Sequence, residues 1–182
     1  MAGLAFATLQ TSSLNVAGFI LALSANWFGD SLDGTLARVR CQPRPRYGYY
    51  VDHVIDLFGT AALVTGMAAS GLMTPTMALA VLAAYFLVSA ETFLATHTVG
   101  VFRLSFAGIG PTELRILLAL GAVAVSNHPF AEIGGRRFLL LDVSGAIATA
   151  GLAATFLISA IRNTRALYVA EPIPRRDVGR AA

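Results

Sequence analysis

The chain predicts an all-α integral membrane protein, a helical bundle with five transmembrane helices, and three observations predict it. Hydrophobic residues make up 56% of its 182 residues and charged residues only 13%, against roughly a quarter charged in soluble domains. Mean hydropathy is +0.69, too high for an ordinary soluble core. Apolar runs that match or approach the roughly 20 residues of a membrane crossing recur along the sequence. The arginines that give the net charge of +3 gather between those runs and in the C-terminal tail.

The first run extends from about Leu9 to Val39, apolar through Leu14–Phe28 and polar from Asp30 to Arg38. The second covers Tyr49 to Met73, and the third Thr76 to His97 behind Pro75. The fourth starts near Pro111, a residue suited to a first helical turn, and is apolar from Leu114 to Val125. The fifth covers Phe138 to Ile161. The length fits one domain, divided here into a transmembrane domain, 1–166, and a polar cytoplasmic tail, 167–182. No basic region opens the N-terminus as a cleavable signal peptide requires. The single Cys41 excludes an intramolecular disulfide framework and a thiolate metal cluster, and the arginines form no stripe suited to nucleic acid.

Orientation follows from the positive charge of short loops. The first connection holds Arg40, Arg44 and Arg46, the second holds no charge, and the third carries Arg103. With the arginines of the tail, they place the first connection and the C-terminus in the cytoplasm. Arg136 and Arg137 in the fourth connection dissent, partly offset by Glu132. A bacterial inner membrane, with the site facing the cytoplasm, is the expected location.

Four carboxylates stand at the junction of the first two runs: Asp30, Asp33, Asp52 and Asp56. On a helix, steps of three and four residues put Asp30, Asp33, Gly34 and Ala37 on one face, and Gly48, Asp52 and Asp56 on one face of the next. Ionisable groups are costly in a bilayer and mark function there. Four converging carboxylates repel one another unless cations intervene. Their hard oxygens suit two divalent cations, Mg²⁺ or Mn²⁺, with substrate phosphates completing the shell. Gly34 and Ala37 keep the face thin, and Arg38 offers a planar fork for phosphate. The plainer alternative pairs each aspartate with Arg38, Arg40, Arg44 or Arg46. The segment Asp33-Gly34-Thr35 also matches part of a phosphatase pattern whose nucleophile would fall on Ser31; serine cannot form an aspartyl phosphate, so that alternative fails.

The complete pattern DSLDGTLAR…GYYVDHVID, residues 30–56, resembles the signature of CDP-alcohol phosphotransferases. The resemblance implies a six-helix membrane bundle, usually homodimeric, with the motif on its second and third helices. Against that plan either the first helix is missing from this chain or it is truncated, with Met1–Leu9 as its remnant. It implies metal-ligand roles for Asp30, Asp33, Asp52 and Asp56, with Asp56 also general base, and a CDP pocket lined by Gly34, Ala37, Arg38 and Gly48. The implied reaction transfers a substituted phosphate from a CDP-alcohol to an acceptor alcohol and releases CMP.

A second cluster bears on substrate: Glu91, Arg103, and the segment Gly108-Ile109-Gly110-Pro111-Thr112-Glu113-Leu114-Arg115. Its Gly-Pro-x-Glu element, with Asp52-His53, resembles the choline/ethanolamine phosphotransferase branch, which implies a CDP-amino alcohol donor and a lipid acceptor. CDP-diacylglycerol with a small-alcohol acceptor stays open, because Arg103 and Arg115 allow a basic acceptor pocket. Glu91, Arg103, Glu113 and Arg115 are thus the acceptor or phosphate candidates. His53 follows a ligand position but points off the motif face. His97 and His128 fall at helix ends. Asp142 falls at the opposite end of its span. Trp27 and Tyr47, Tyr49 and Tyr50 fit interfacial anchors. A cation transporter or channel is the competing class, and would spread its carboxylates through the bilayer depth. A catalytically inactive membrane scaffold is the third.

Overall fold

Each of the five apolar runs forms a helix, and proline and small polar residues set where the helices begin. The computed structural model describes residues 2–8, 13–39, 44–100 and 111–171, with the backbone alone described at 13, 30, 31, 33–38 and 111–113. A short helix, α1 (Ala2–Ala7), precedes α2 (Ser13–Val39), α3 (Pro45–Ala69), α4 (Pro75–Val99) and α5 (Pro111–Asn127). Three of these open on proline, whose missing N–H and fixed φ cost nothing in a first turn. The Oγ1 of Thr74 also caps α4 by accepting from Met77 N at 3.4 Å.

After α5 the chain makes a feature that the sequence reading treated as a plain connection. Strands β1 (Phe130–Ile133) and β2 (Arg136–Leu139) pair antiparallel, with Glu132 opposite Arg137. Gly134 and Gly135 have φ of 59° and 76°, the pair of positive angles that a two-residue hairpin turn of this hand requires. Phe138, expected to start the fifth run, lies in β2. Helix α6 (Leu140–Ala170) starts two residues later and continues beyond Ile161 through Arg162, Asn163 and Arg165. The legible signal was Gly-Gly between two short runs.

Helices α3, α4 and α6 are long and apolar enough to cross a membrane, whereas α2 and α5 hold shorter apolar stretches, Leu14–Gly29 and Leu114–Asn127. The all-α membrane bundle is therefore observed. Three of its helices meet, among the described residues, the length and apolarity of a crossing. Large apolar side chains lie open along them: Leu79, Leu87 and Leu94 of α4 are 69%, 53% and 66% exposed. Such surface suits lipid, not water. Hydroxyls are satisfied within their own helix, as a bilayer demands: Thr92 donates to Val88 O at 2.9 Å and Thr96 to Thr92 O at 2.7 Å.

The core gathers at one end of the bundle. Phe6, Phe19, Val64, Met67, Leu72, Met73, Ala78, Ala122, Val125 and Leu141 form one buried cluster. These residues come from α1, the first turns of α2, the end of α3 and the turn after it, the starts of α4 and α6 and the end of α5, and those of α3 are remote from Gly48 and Asp52 along the helix. The same end is tied by Thr74 N, which donates to Asp142 Oδ1 at 2.8 Å. Asp142 thus holds the start of α4 from the first turn of α6.

Candidate active site

Helix α3 presents Gly48, Asp52 and Asp56 four residues apart on one face. All three are exposed; the Asp52 side chain is 58% exposed. A Cβ added at Gly48 would meet nothing within 4 Å. The same face continues through Gly59, Ala62 and Gly66, and there it is covered. A Cβ at Gly66 would run into the backbone of Gly3, and one at Gly3 into the carbonyl of Ala62. Only glycine on both helices permits this backbone approach, the close packing that small residues give membrane helices.

Helix α1 also seats against α2. Phe6 and Phe19, 1% and 0% exposed, meet edge to face with ring centroids 5.0 Å apart. Asn15 Nδ2 donates to Thr8 O at 2.6 Å. Among the described residues, the extended packing of α2 is on α1 and α5, and that of α3 on α1 and α4. The element shared by both motif helices is α1.

Helix α2 runs unbroken to Val39, so Asp30, Asp33, Gly34, Ala37 and Arg38 all fall on one continuous helix at the expected intervals. The side chains at those five positions, the side chain of Glu113, and Arg103 altogether lie outside the described residues, as does the tail from 172.

The remaining candidates separate. His53 is turned to α4, as expected of a residue off the motif face. Its Nδ1 donates to Tyr49 O at 2.7 Å, and its ring stacks on Tyr49 at 4.1 Å and meets the Phe93 edge at 5.3 Å. Asp52 Oδ2 is 3.9 Å from the same nitrogen. Glu91 faces α6. Asn163 Nδ2 donates to Glu91 Oε1 at 2.7 Å, beside a cavity of about 210 Å³ lined also by Thr92, Ser159 and Arg162. Helix α4 borders α3 through a different face, Phe86, Ser89, Ala90 and Phe93. Glu91 is therefore turned away from the α3 side.

Arg115 reaches from α5 to α2. Its Nε and Nη2 donate to Asn26 Oδ1 at 3.2 and 2.9 Å. Asn26 was not among the residues singled out from sequence, although the period could have found it. It precedes Asp30 by four residues and so extends the motif face of α2 by one turn.

Among the described residues no group of three metal-ligating side chains comes together; Asp52 and Asp56 offer hard carboxylate oxygens, which would fit Mg²⁺ or Mn²⁺ better than a softer metal. Against protein families, residues 1–158 match the model described as CDP-alcohol phosphatidyltransferase. No curated protein matches the chain. No solved structure matches it either.

Proposed function

Because the chain belongs to the CDP-alcohol phosphatidyltransferase family, a transferase family of phospholipid synthesis, we propose that it transfers a substituted phosphate from a CDP-alcohol to an acceptor alcohol at the α2–α3 motif. One observation carries this reading: Gly48, Asp52 and Asp56 stand exposed on one face of α3, with room over Gly48 for a ligand to approach the backbone. Both carboxylates are exposed, whereas Asp142 is half-buried and accepts from Thr74 N.

The family is generally dependent on divalent cations. In the proposed site Asp30, Asp33, Asp52 and Asp56 hold two of them, Mg²⁺ or Mn²⁺, which when bound supply positive charge to the pyrophosphate. Gly34, Ala37 and Gly48 leave the backbone open to the cytidine nucleotide, and Arg38 binds phosphate through its fork. Asp56 takes the proton of the acceptor hydroxyl. The acceptor oxygen bonds to the phosphorus that bears the donor's alcohol, the bond from that phosphorus to the CMP oxygen breaks, and CMP carries away the electron pair. Positioning and charge neutralisation supply most of the rate.

The Gly-Pro-Thr-Glu segment at residues 110–113 supports a CDP-amino alcohol donor, and Arg103 and Arg115 support a phosphate-bearing partner. Glu113 is assigned to a cationic head group. Glu91, facing Asn163 and α6, serves a polar subsite beside α4. The arginine-rich first connection supports a cytoplasmic site in a bacterial inner membrane, and a homodimer goes with the family resemblance. Purified protein in detergent, offered CDP-diacylglycerol or CDP-amino alcohol donors with matched acceptors, will release CMP with one donor class in Mg²⁺ or Mn²⁺ and not in EDTA. No release with any donor sinks the reading.

A further inference from the structure

The cavity between α4 and α6 is lined by two opposite charges that do not meet. Glu91 Oε1 accepts from Asn163 Nδ2 at 2.7 Å, and the same amide nitrogen reaches Ser159 Oγ at 3.4 Å. Glu91 Oε2 takes no hydrogen bond among the described residues. Arg162 lines the same cavity and forms no ion pair with Glu91 or with any other described residue. A carboxylate and a guanidinium held apart at membrane depth are costly unless something polar lies between them. The volume, about 210 Å³, is several times the roughly 30 Å³ share of one water. It is below the roughly 300–1,000 Å³ of sites for drug-sized ligands. There is room for a small headgroup and none for a nucleotide.

Both walls of the cavity run out into lipid-facing stripes. Leu87 and Leu94, one turn to either side of Glu91 on α4, are mostly exposed, and so is Ile158, one turn before Arg162 on α6. The Phe93 edge on His53 sets this turn of α4 level with Asp52, at the motif end of the bundle. A ligand that fits carries an ammonium for the carboxylate, a phosphate for the guanidinium fork, and acyl chains to lie along Leu87 and Ile158. We propose that the cavity binds the headgroup of a zwitterionic phospholipid, its ammonium on Glu91 and its phosphate on Arg162. The proposal gives an occupant to the polar subsite beside α4 and rests on that placement, not on the transfer chemistry. A plain tie between α4 and α6, with water filling the cavity, is the opposing account.

The test is the melting temperature of purified protein in detergent micelles doped with phosphatidylethanolamine, with phosphatidylglycerol as the anionic comparison. Phosphatidylethanolamine is expected to raise melting by about 5 °C near saturation, and phosphatidylglycerol by clearly less. Glu91→Gln keeps an oxygen for Asn163 and loses the charge; Arg162→Gln loses the fork. Each is expected to raise the lipid concentration for half the shift about tenfold, the scale of one charged hydrogen bond, read against its own lipid-free melting. Arg165→Gln, on the next turn of α6 and outside the cavity, should respond as wild type does. Free phosphoethanolamine should act only at higher concentration, because it lacks the acyl contacts. Equal shifts with the two lipids, or an equal loss in Arg165→Gln, would overturn the proposal. A free headgroup as potent as the lipid would overturn the lipid as occupant. Failure of wild type to release CMP would bear on the transferase reading alone, because melting is read without it.

Discussion

Gly48 and Gly66 lie on one face of α3, 18 residues apart, about five whole turns, and their surroundings are opposite. Over Gly66 the backbone of α1 lies so close that no side chain fits; over Gly48 a Cβ meets nothing within 4 Å. The buried cluster of Phe6, Phe19, Met67 and Leu72 belongs to the Gly66 end, while the carboxylates Asp52 and Asp56 belong to the Gly48 end. One helix face thus does two jobs. Half of it holds the bundle together, and the other half lies open, where the proposed site would take its ligand. The same residue type at the same phase has a packing reason at one end and, in the proposed reading, a binding reason at the other.

Substitutions along this face can break that division or sharpen it. At the open end, Asp52→Asn removes a proposed metal ligand and should lower CMP release by more than about 100-fold, the upper range for losing a mere supporting partner of a metal ligand. Melting in detergent should stay at the wild-type value, because that side chain is mostly exposed. A parallel loss of melting temperature would mean that Asp52 is structural. At the covered end, Gly66→Ala should destabilise the protein by about 1–3 kcal/mol, the usual cost of overpacking, seen as a lower melting temperature. Gly48→Ala should do the reverse: unchanged or slightly higher melting, since alanine favours helix by up to about 1 kcal/mol, with donor KM raised about tenfold. Equal behaviour of the two alanine variants would erase the distinction.

Smaller effects belong to the packed end alone. Asp142→Ala removes the acceptor of Thr74 N and should cost about 1–2 kcal/mol, lowering melting with donor KM unchanged. At the hairpin, Arg137 Nε donates to Glu132 Oε1 at 3.0 Å, with both side chains mostly exposed. Replacing Glu132 with Gln should change stability by less than about 1 kcal/mol, measured by the same melting experiment.

How much of this was legible in the sequence varies with the physics of each element. Helices α3 and α4 follow from apolar length and from proline at the first turn, both local signals. The motif face of α3 follows from period alone, because three residues at steps of four can only share a side. The hairpin was missed because its strands are four residues each and adjoin the apolar start of α6, so Phe138 read as helix. Gly134-Gly135 was its visible mark. The contact of α1 with Gly66 is a matter of tertiary placement, and no property of Ala2–Ala7 says which helix it will meet. Glu91 was singled out as an acidic residue within a span, but its direction depends on where α6 lies; Asn163 supplies the pairing that its depth requires. Asn26 was within reach of the period, yet a lone asparagine near an interface carries no signal until Arg115 is seen upon it.

The central claim is that the open end of the α3 face performs phosphoryl transfer with Asp56 as the base. The most direct test is CMP release from the preferred CDP-alcohol donor by wild type and Asp56→Asn, in the same detergent with Mg²⁺ or Mn²⁺ present. A drop of about 100- to 10,000-fold, the range for losing a positioned general base, at unchanged melting temperature is the predicted result. Full activity in Asp56→Asn would contradict it.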